Sequence, residues 1–246
     1  MKILVTDKYE ALSKQAADDV IQIMQACEQP LICTASGDSP AGLYKEVLDR
    51  VNKKQLDISS WLFVGLDEWV GMNGDDEGSC RYHLNRQFFY PLQIATYRIC
   101  FFNGRANDLE AECQRIENFI HEHGGIDVAI LGLGVNGHIG MNEPGTSPGR
   151  RSHITDLAET TQRVGQKYFK KQQKLTKGIT LGVATLMEAR HIMLLVSGKH
   201  KAEITQKIIE EEVSEQLPAT LLRNHPSTKI YLDSEAASKM IRSLEK

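Results

Sequence analysis

What the chain lacks narrows its chemistry before any motif is read. It has five cysteines among 246 residues: Cys27, Cys33, Cys80, Cys100 and Cys113. The count is odd, and no pair has C-x-x-C spacing. That excludes a secreted disulfide framework, a zinc ribbon and a redox dithiol, and fits small buried thiols in a reducing compartment. Long hydrophobic runs are absent too. The opening MKILVTD has only Ile3, Leu4 and Val5 in succession. A signal peptide needs an apolar stretch of about 7–15 residues, and a spanning helix about 20. The sequence therefore reads as cytoplasmic, without membrane contact. Nor is there an excess of positive charge. Twenty-nine Lys and Arg against 32 Asp and Glu leave a net charge of −3, so a basic nucleic-acid binder is not expected, while local anion sites stay open. No Pro/Gly/Ser-rich linker, low-complexity segment or internal repeat divides the chain. What is present is ordinary for a globular protein: 41% hydrophobic and 25% charged residues. A chain of this length buries about 70–75% of its unfolded surface without metal or disulfide staples, and its apolar content excludes global disorder. One α/β domain over residues 1–246 is the simplest reading.

Short apolar runs alternate with stretches of helical periodicity. Strands are expected at Lys2–Thr6, 31–35, Trp61–Leu66, Arg98–Phe102, Asp127–Leu133, His191–Val196 and Lys229–Leu232. Helices are expected at Tyr9–Cys27, Ala41–Val51, Ser79–Phe89, Asp108–His121, Thr160–Phe169, Val183–Glu188 and Lys199–Glu210, with a short helix closing the chain. This alternation predicts a three-layer α/β/α, Rossmann-like fold around a mainly parallel sheet. Ligands bind beyond the carboxyl ends of such strands, so the residues after each apolar run are the candidates.

After the second run comes Ala35-Ser36-Gly37-Asp38-Ser39-Pro40. Gly37 permits a tight turn, Ser39 offers a hydroxyl and an N–H, and Pro40 suits the first turn of a helix. The segment is either an anion site or a plain cap, and Asp38 would repel a phosphate. After the third run come Asp67 and Glu68. A carboxylate there serves as general base if burial raises its pKa. Adjacent residues on extended backbone point to opposite sides, so only one should face a ligand; two solvated loop charges are the alternative. Residues 132–137 match G-x-G-x-x-G, but His138-Ile139-Gly140-Met141-Asn142-Glu143-Pro144-Gly145 cannot open a helix, so a nicotinamide cofactor is not expected. His138 can carry protons near neutral pH and Glu143 can fix its tautomer; a structural His is the alternative. Lys199, His200 and Lys201 put cations on a helix's first turn, against its dipole, which makes sense around a bound anion, although solvated lysines would look the same. His121 and His123 read as surface residues rather than metal ligands.

Together, residues 36–40 (SGDSP), 66–71 (LDEWVG), 132–145 (GLGVNGHIGMNEPG) and 197–202 (SGKHKA), with 179–190 (ITLGVATLMEAR), resemble the glucosamine-6-phosphate deaminase family, in the family's order. Its wider superfamily includes 6-phosphogluconolactonases, from which Asn142-Glu143-Pro144 sets this chain apart. The resemblance implies aldose–ketose isomerisation coupled to deamination of a 2-amino-2-deoxyhexose 6-phosphate. The products would be a ketohexose 6-phosphate and ammonia, and no metal or organic cofactor would be needed. It implies Asp67 as the base between C2 and C1, His138 as the ring-opening acid/base, and Glu143 as its orienting partner beside Asn136. It also implies Ser36, Gly37 and Ser39 as a phosphate loop, with Lys167 and Lys201 as its cations. Three departures stand out. Asn136 replaces an Asp, which supports the imidazole without offsetting its charge. The galactosamine-6-phosphate isomerase/deaminase branch is similar here, which tilts the expected substrate toward the galacto epimer. Lys167 replaces an Arg, giving a point charge instead of a fork. Asp38 replaces a small residue, with no compensating partner evident. A phosphogluconolactonase-type hydrolase and a non-catalytic sugar-phosphate sensor are the alternatives. Oligomeric state is not legible, and a homo-oligomer is left open.

Overall fold

The computed structural model describes residues 1–240. Its elements run β1 (Lys2–Thr6), α1 (Tyr9–Gln25), β2 (Leu31–Thr34), α2 (Asp38–Asn52), β3 (Leu62–Gly65), β4 (Asp67–Trp69), α3 (Cys80–Leu84), β5 (Ile99–Cys100), α4 (Leu109–Glu122), β6 (Val128–Gly132), β7 (His153–Asp156), α5 (Glu159–Gly165), β8 (Lys177–Thr180), α6 (Val183–Met187), β9 (His191–Val196), α7 (Ala202–Glu210) and β10 (Thr228–Asp233). Seven strands form a parallel sheet in the order β1-β10-β9-β6-β2-β3-β5.

Side-chain parity assigns the layers. Ile32, Phe63, Val128, Ile130, Met193 and Leu195 share a core with Leu12 and Val20 of α1 and Leu43 and Val47 of α2. Leu31, Cys33, Val64, Ala129, Leu131 and Leu194 share another with Ile116 and Ile120 of α4 and Ile204 and Ile208 of α7. Covering both faces is why these strands read as unbroken apolar runs. From β2 the chain builds outward through β3 and β5; from β6 it builds the other way through β9 and β10. The reversal between β2 and β6 opens a crevice at their carboxyl ends.

A second sheet, β4-β8-β7, is antiparallel, with Asp67 opposite Thr180 and Trp69 opposite Gly178. Its segments, DEW, HITD and KGIT, carry no apolar run, so periodicity does not reveal them. Asp67 thus stands on a strand and not in a loop.

Several expected elements change shape. The helix expected at Thr160–Phe169 ends at Gly165, where a side chain would sit 2.8 Å from the Trp69 ring, and the chain tightens into a 3₁₀ turn at Gln166–Tyr168. Lys167 lies on that turn. The helix expected at Ser79–Phe89 is α3 followed by a π-helical turn, Asn85–Phe89, whose wider ladder buries both Phe88 and Phe89. α2 starts at Asp38, three residues before Ala41, because Gly37 supplies the reversal at φ 112°. Lys199–Lys201 forms a 3₁₀ turn before α7. Part of the expected closing helix lies outside the described residues, and turns occupy the stretch up to Met240. Among the described residues no helix is long and apolar enough to cross a membrane.

One close approach bears on the site. A Cβ on Gly104 would fall 2.2 Å from the Trp69 carbonyl and 2.7 Å from that of Met72, and its own carbonyl accepts the Gly71 N–H at 2.7 Å. Gly104→Ala is expected to cost about 1–3 kcal/mol by pushing the end of β4 off its seat. Thermal melting would show the loss, and an unchanged Tm would contradict it.

Candidate active site

The carboxyl ends of β2, β3, β6 and β9 open into a pocket of about 800 Å³. Asp67 and the loop after β6 line it, together with the start of α2 and the turns that carry Lys167 and Lys201.

Neither acid on β4 is a solvated charge: Asp67 is 9% exposed and Glu68 0%. They take opposite roles. Glu68 Oε1 accepts the N–H groups of Trp69 and Cys80, both at 2.9 Å, and Oε2 accepts that of Arg81 at 3.0 Å. It ties the start of α3 to β4. Burial pushes its carboxyl up to about 7, against the pull of those donors. Asp67 lines the pocket. Burial pushes its carboxyl up to about 6, with the Cys80 thiol and the charge of His138 opposing. A carboxylate so tuned is a competent base near neutral pH.

The glycines after β6 seat a histidine. A Cβ on Gly134 would sit 2.3 Å from the His138 ring, and the Gly134 N–H donates to the His138 carbonyl at 2.9 Å. Glu143 Oε2 lies 3.5 Å from His138 Nδ1 and accepts from Asn136 Nδ2 at 2.8 Å. Its Oε1 accepts the Ala158 N–H at 3.2 Å. Asn136 therefore acts on the imidazole through Glu143, and its Oδ1 accepts the His138 N–H at 3.3 Å. Burial alone would raise the Glu143 pKa, but the hydrogen bond and charge of His138, with Thr161 and Asn136, hold it below the ordinary carboxylate range. A carboxylate held in its charged form thus sits beside the imidazole. Asn142, fully buried, donates to the carbonyls of Ile139 at 2.8 Å and Leu181 at 2.9 Å, which locks the loop onto the end of β8.

The far end of the pocket suits an anion. Ser36, Gly37 and Ser39 line it at the start of α2. Tyr9 fixes that turn: its hydroxyl donates to the Asp38 carbonyl and accepts the Gly42 N–H, both at 2.7 Å. Asp233 anchors the loop after β9 by accepting from Ser197 Oγ at 2.5 Å and Gly198 N–H at 3.0 Å. This positions Lys201, whose Nζ donates to the Leu133 carbonyl at 2.6 Å. Burial, then repulsion from Lys167, pushes its ammonium down to about 8. Lys199 is exposed and does not line the pocket. Lys167 Nζ donates to Asp38 Oδ2 at 2.6 Å, so the carboxylate left without a partner in the sequence has one.

All nine residues assigned from the sequence fall in or against this pocket; Asn136 and Glu143 stand behind His138. Sequence reading missed Thr161, whose hydroxyl lies 3.2 Å from His138 Nδ1 across 23 residues of chain. It also missed Cys80, Arg163 and Tyr168, which line the pocket. No local motif marks these positions; only the folded crevice does. Away from the pocket, His123 contacts the Phe119 carbonyl at 2.8 Å. Among the described residues no cluster of three or more His, Cys, Asp or Glu could hold a metal ion.

Residues 7–231 match the family described as glucosamine-6-phosphate isomerases/6-phosphogluconolactonase. The chain belongs to this family. A glucosamine-6-phosphate deaminase from Thermoanaerobacter pseudethanolicus is 37% identical over 97% of this chain and 94% of its own length. Glucosamine-6-phosphate deaminase 1 of Bacillus subtilis is 36% identical over 97% and 99%. A solved structure described as a monomeric glucosamine-6-phosphate deaminase superposes with a TM-score of 0.94 at 36% identity, covering 97% of this chain and 100% of that one. A 6-phosphogluconolactonase from Trypanosoma brucei superposes with a TM-score of 0.76 at 20% identity, over 97% and 98% of the two chains, which shows a shared fold alone. In this member of the glucosamine-6-phosphate isomerase/6-phosphogluconolactonase family, the four loops that carry the resemblance meet at one crevice.

Proposed function

We propose that residues 1–246 form one domain that isomerises and deaminates a 2-amino-2-deoxyhexose 6-phosphate, yielding a ketohexose 6-phosphate and ammonia with consumption of one water. The observation that carries this reading is the juxtaposition, in one pocket, of a buried carboxylate, a carboxylate-backed histidine and an anion-binding end. The 6-phosphate docks against the start of α2 and Lys201, which directs the sugar toward Asp67. His138 takes the proton of the C1 hydroxyl and returns one to the ring oxygen, opening the sugar; Glu143 balances the imidazolium formed in between. Asp67 then takes the C2 proton and delivers it to C1 while the amine nitrogen yields a proton to O1, turning the aldose with a C2 amine into a 1-hydroxy C2 imine. Water adds at C2 and ammonia leaves.

The test is ammonia release from galactosamine 6-phosphate and glucosamine 6-phosphate. Turnover of either supports the reading. Hydrolysis of 6-phosphogluconolactone with no ammonia from either sugar would replace it with the hydrolase. Ligand-induced thermal stabilisation without turnover would replace it with a sensor. For the epimer we place the galacto sugar first, on Asn136; the deaminases compared above carry the gluco name. A larger kcat/KM for glucosamine 6-phosphate would reverse that order.

The Lys201 ammonium adds a pH signature. Its cation is lost as pH rises through about 8, so kcat/KM is expected to fall on that limb. Lys201→Arg cannot deprotonate in this range and should move the limb to higher pH. A limb that stays in place would assign it to another group.

A further inference from the structure

Two charged side chains meet across the mouth of the pocket in a way the proposed reaction does not require. Asp38 belongs to the first turn of α2, beside the amides that suit a phosphate, yet carries a negative charge. Lys167, 129 residues further along, closes on it at 2.6 Å. Lys167 also stands 4.8 Å over the Tyr168 ring, and that ring lies edge-on to His83 with centroids 5.1 Å apart. The ammonium is held from behind by an aromatic face and from the front by a carboxylate. Lys201 differs: its hydrogen-bond partner is the neutral carbonyl of Leu133. These two lysines of the pocket are thus unequal, one already neutralised and one not.

We propose that Asp38 is a specificity-determining residue, an internal anion that occupies Lys167 until a phosphate displaces it. The inference rests on the sugar-phosphate reading above. A phosphate monoester carries about −1.5 to −2 charges at neutral pH, so it competes with a single carboxylate for Lys167 while also engaging Lys201. A monoanion gains less from Lys201 and does not repay the lost ion pair. Asp38 therefore widens the preference for phosphate over singly charged ligands, at the expense of absolute affinity.

The side chains of the pair are 48% and 80% exposed, so substitutions there are not expected to disturb folding, and thermal melting checks this. Calorimetry of inorganic phosphate, with acetate as competitor, is run on the natural chain, D38N, K167M and the double variant. D38N is expected to bind phosphate about three- to fivefold more tightly and to let acetate compete better. K167M should bind about tenfold more weakly, because Asp38 then faces the phosphate uncompensated. The double variant should return to within about threefold of the natural chain. The inference is overturned if D38N binds phosphate no more tightly, or if K167M and the double variant are alike. These readouts need no turnover. Failure of the ammonia assay with this cycle intact would remove the proposed reaction and leave the ion pair's role standing. The converse pattern would remove the ion pair's role alone.

Discussion

Asp67→Asn is expected to lower kcat by about 10²- to 10⁴-fold, the range typical of losing a positioned general base. The substitution keeps size and shape and removes only the ability to take a proton. Its surroundings suit such a base: the carboxyl is buried on β4 and raised to about 6 against the pull of the Cys80 thiol and the His138 charge. Because the raised pKa lies just below neutral, the base is ionised at working pH and lost as pH falls through about 6. Phosphate binding should persist in the variant, since the anion-binding end uses other residues; calorimetry of inorganic phosphate separates the two effects. Full activity in Asp67→Asn would place the C2 base elsewhere. Glu68→Gln is the informative contrast, because Glu68 grips the backbone of α3 and not the pocket. Its loss should appear first in Tm.

Removing His138 is the second large effect. His138→Gln is expected to reduce kcat by about 10²- to 10³-fold through loss of ring opening. Glu143→Gln should cost about 10- to 10²-fold, because the ring keeps Thr161 but loses the charge that balances its protonated form. The two act as a unit, so the double variant should fall no further than His138→Gln alone. Steady-state kinetics on the three proteins decides the matter. Multiplying losses would mean that Glu143 works independently of the imidazole, and unchanged kinetics in His138→Gln would remove it from the mechanism.

Much of this site was legible because its parts are local. The loop of residues 132–145 carries His138, Asn136 and Glu143 within eight residues, and the fold needs only a strand end to present them. The parallel sheet was legible because burial on both faces removes polar positions from the strands. The antiparallel sheet was not, because three- and four-residue strands beside a crevice carry too few side chains to show a period. Lys167 lines the pocket on a 3₁₀ turn and not on a continuous α-helix, since the contact of Gly165 with Trp69 ends α5 from outside the segment.

By itself, then, the sequence determined the residue types, the strand ends that hold them, and the family whose motifs they match. Only the tertiary structure decided which of two adjacent acids faces the pocket, which lysine stays free of a carboxylate, and what answers the charge of Asp38. Those outcomes depend on approaches between side chains far apart in the chain, Asp38 to Lys167 and His138 to Thr161. A chain's local pattern records its own burial but not which distant charge will share that burial. Where the partners are buried, as around Glu143, the pairing sets the carboxyl's pKa; where they are exposed, as for Asp38 and Lys167, it sets which charge a ligand meets first.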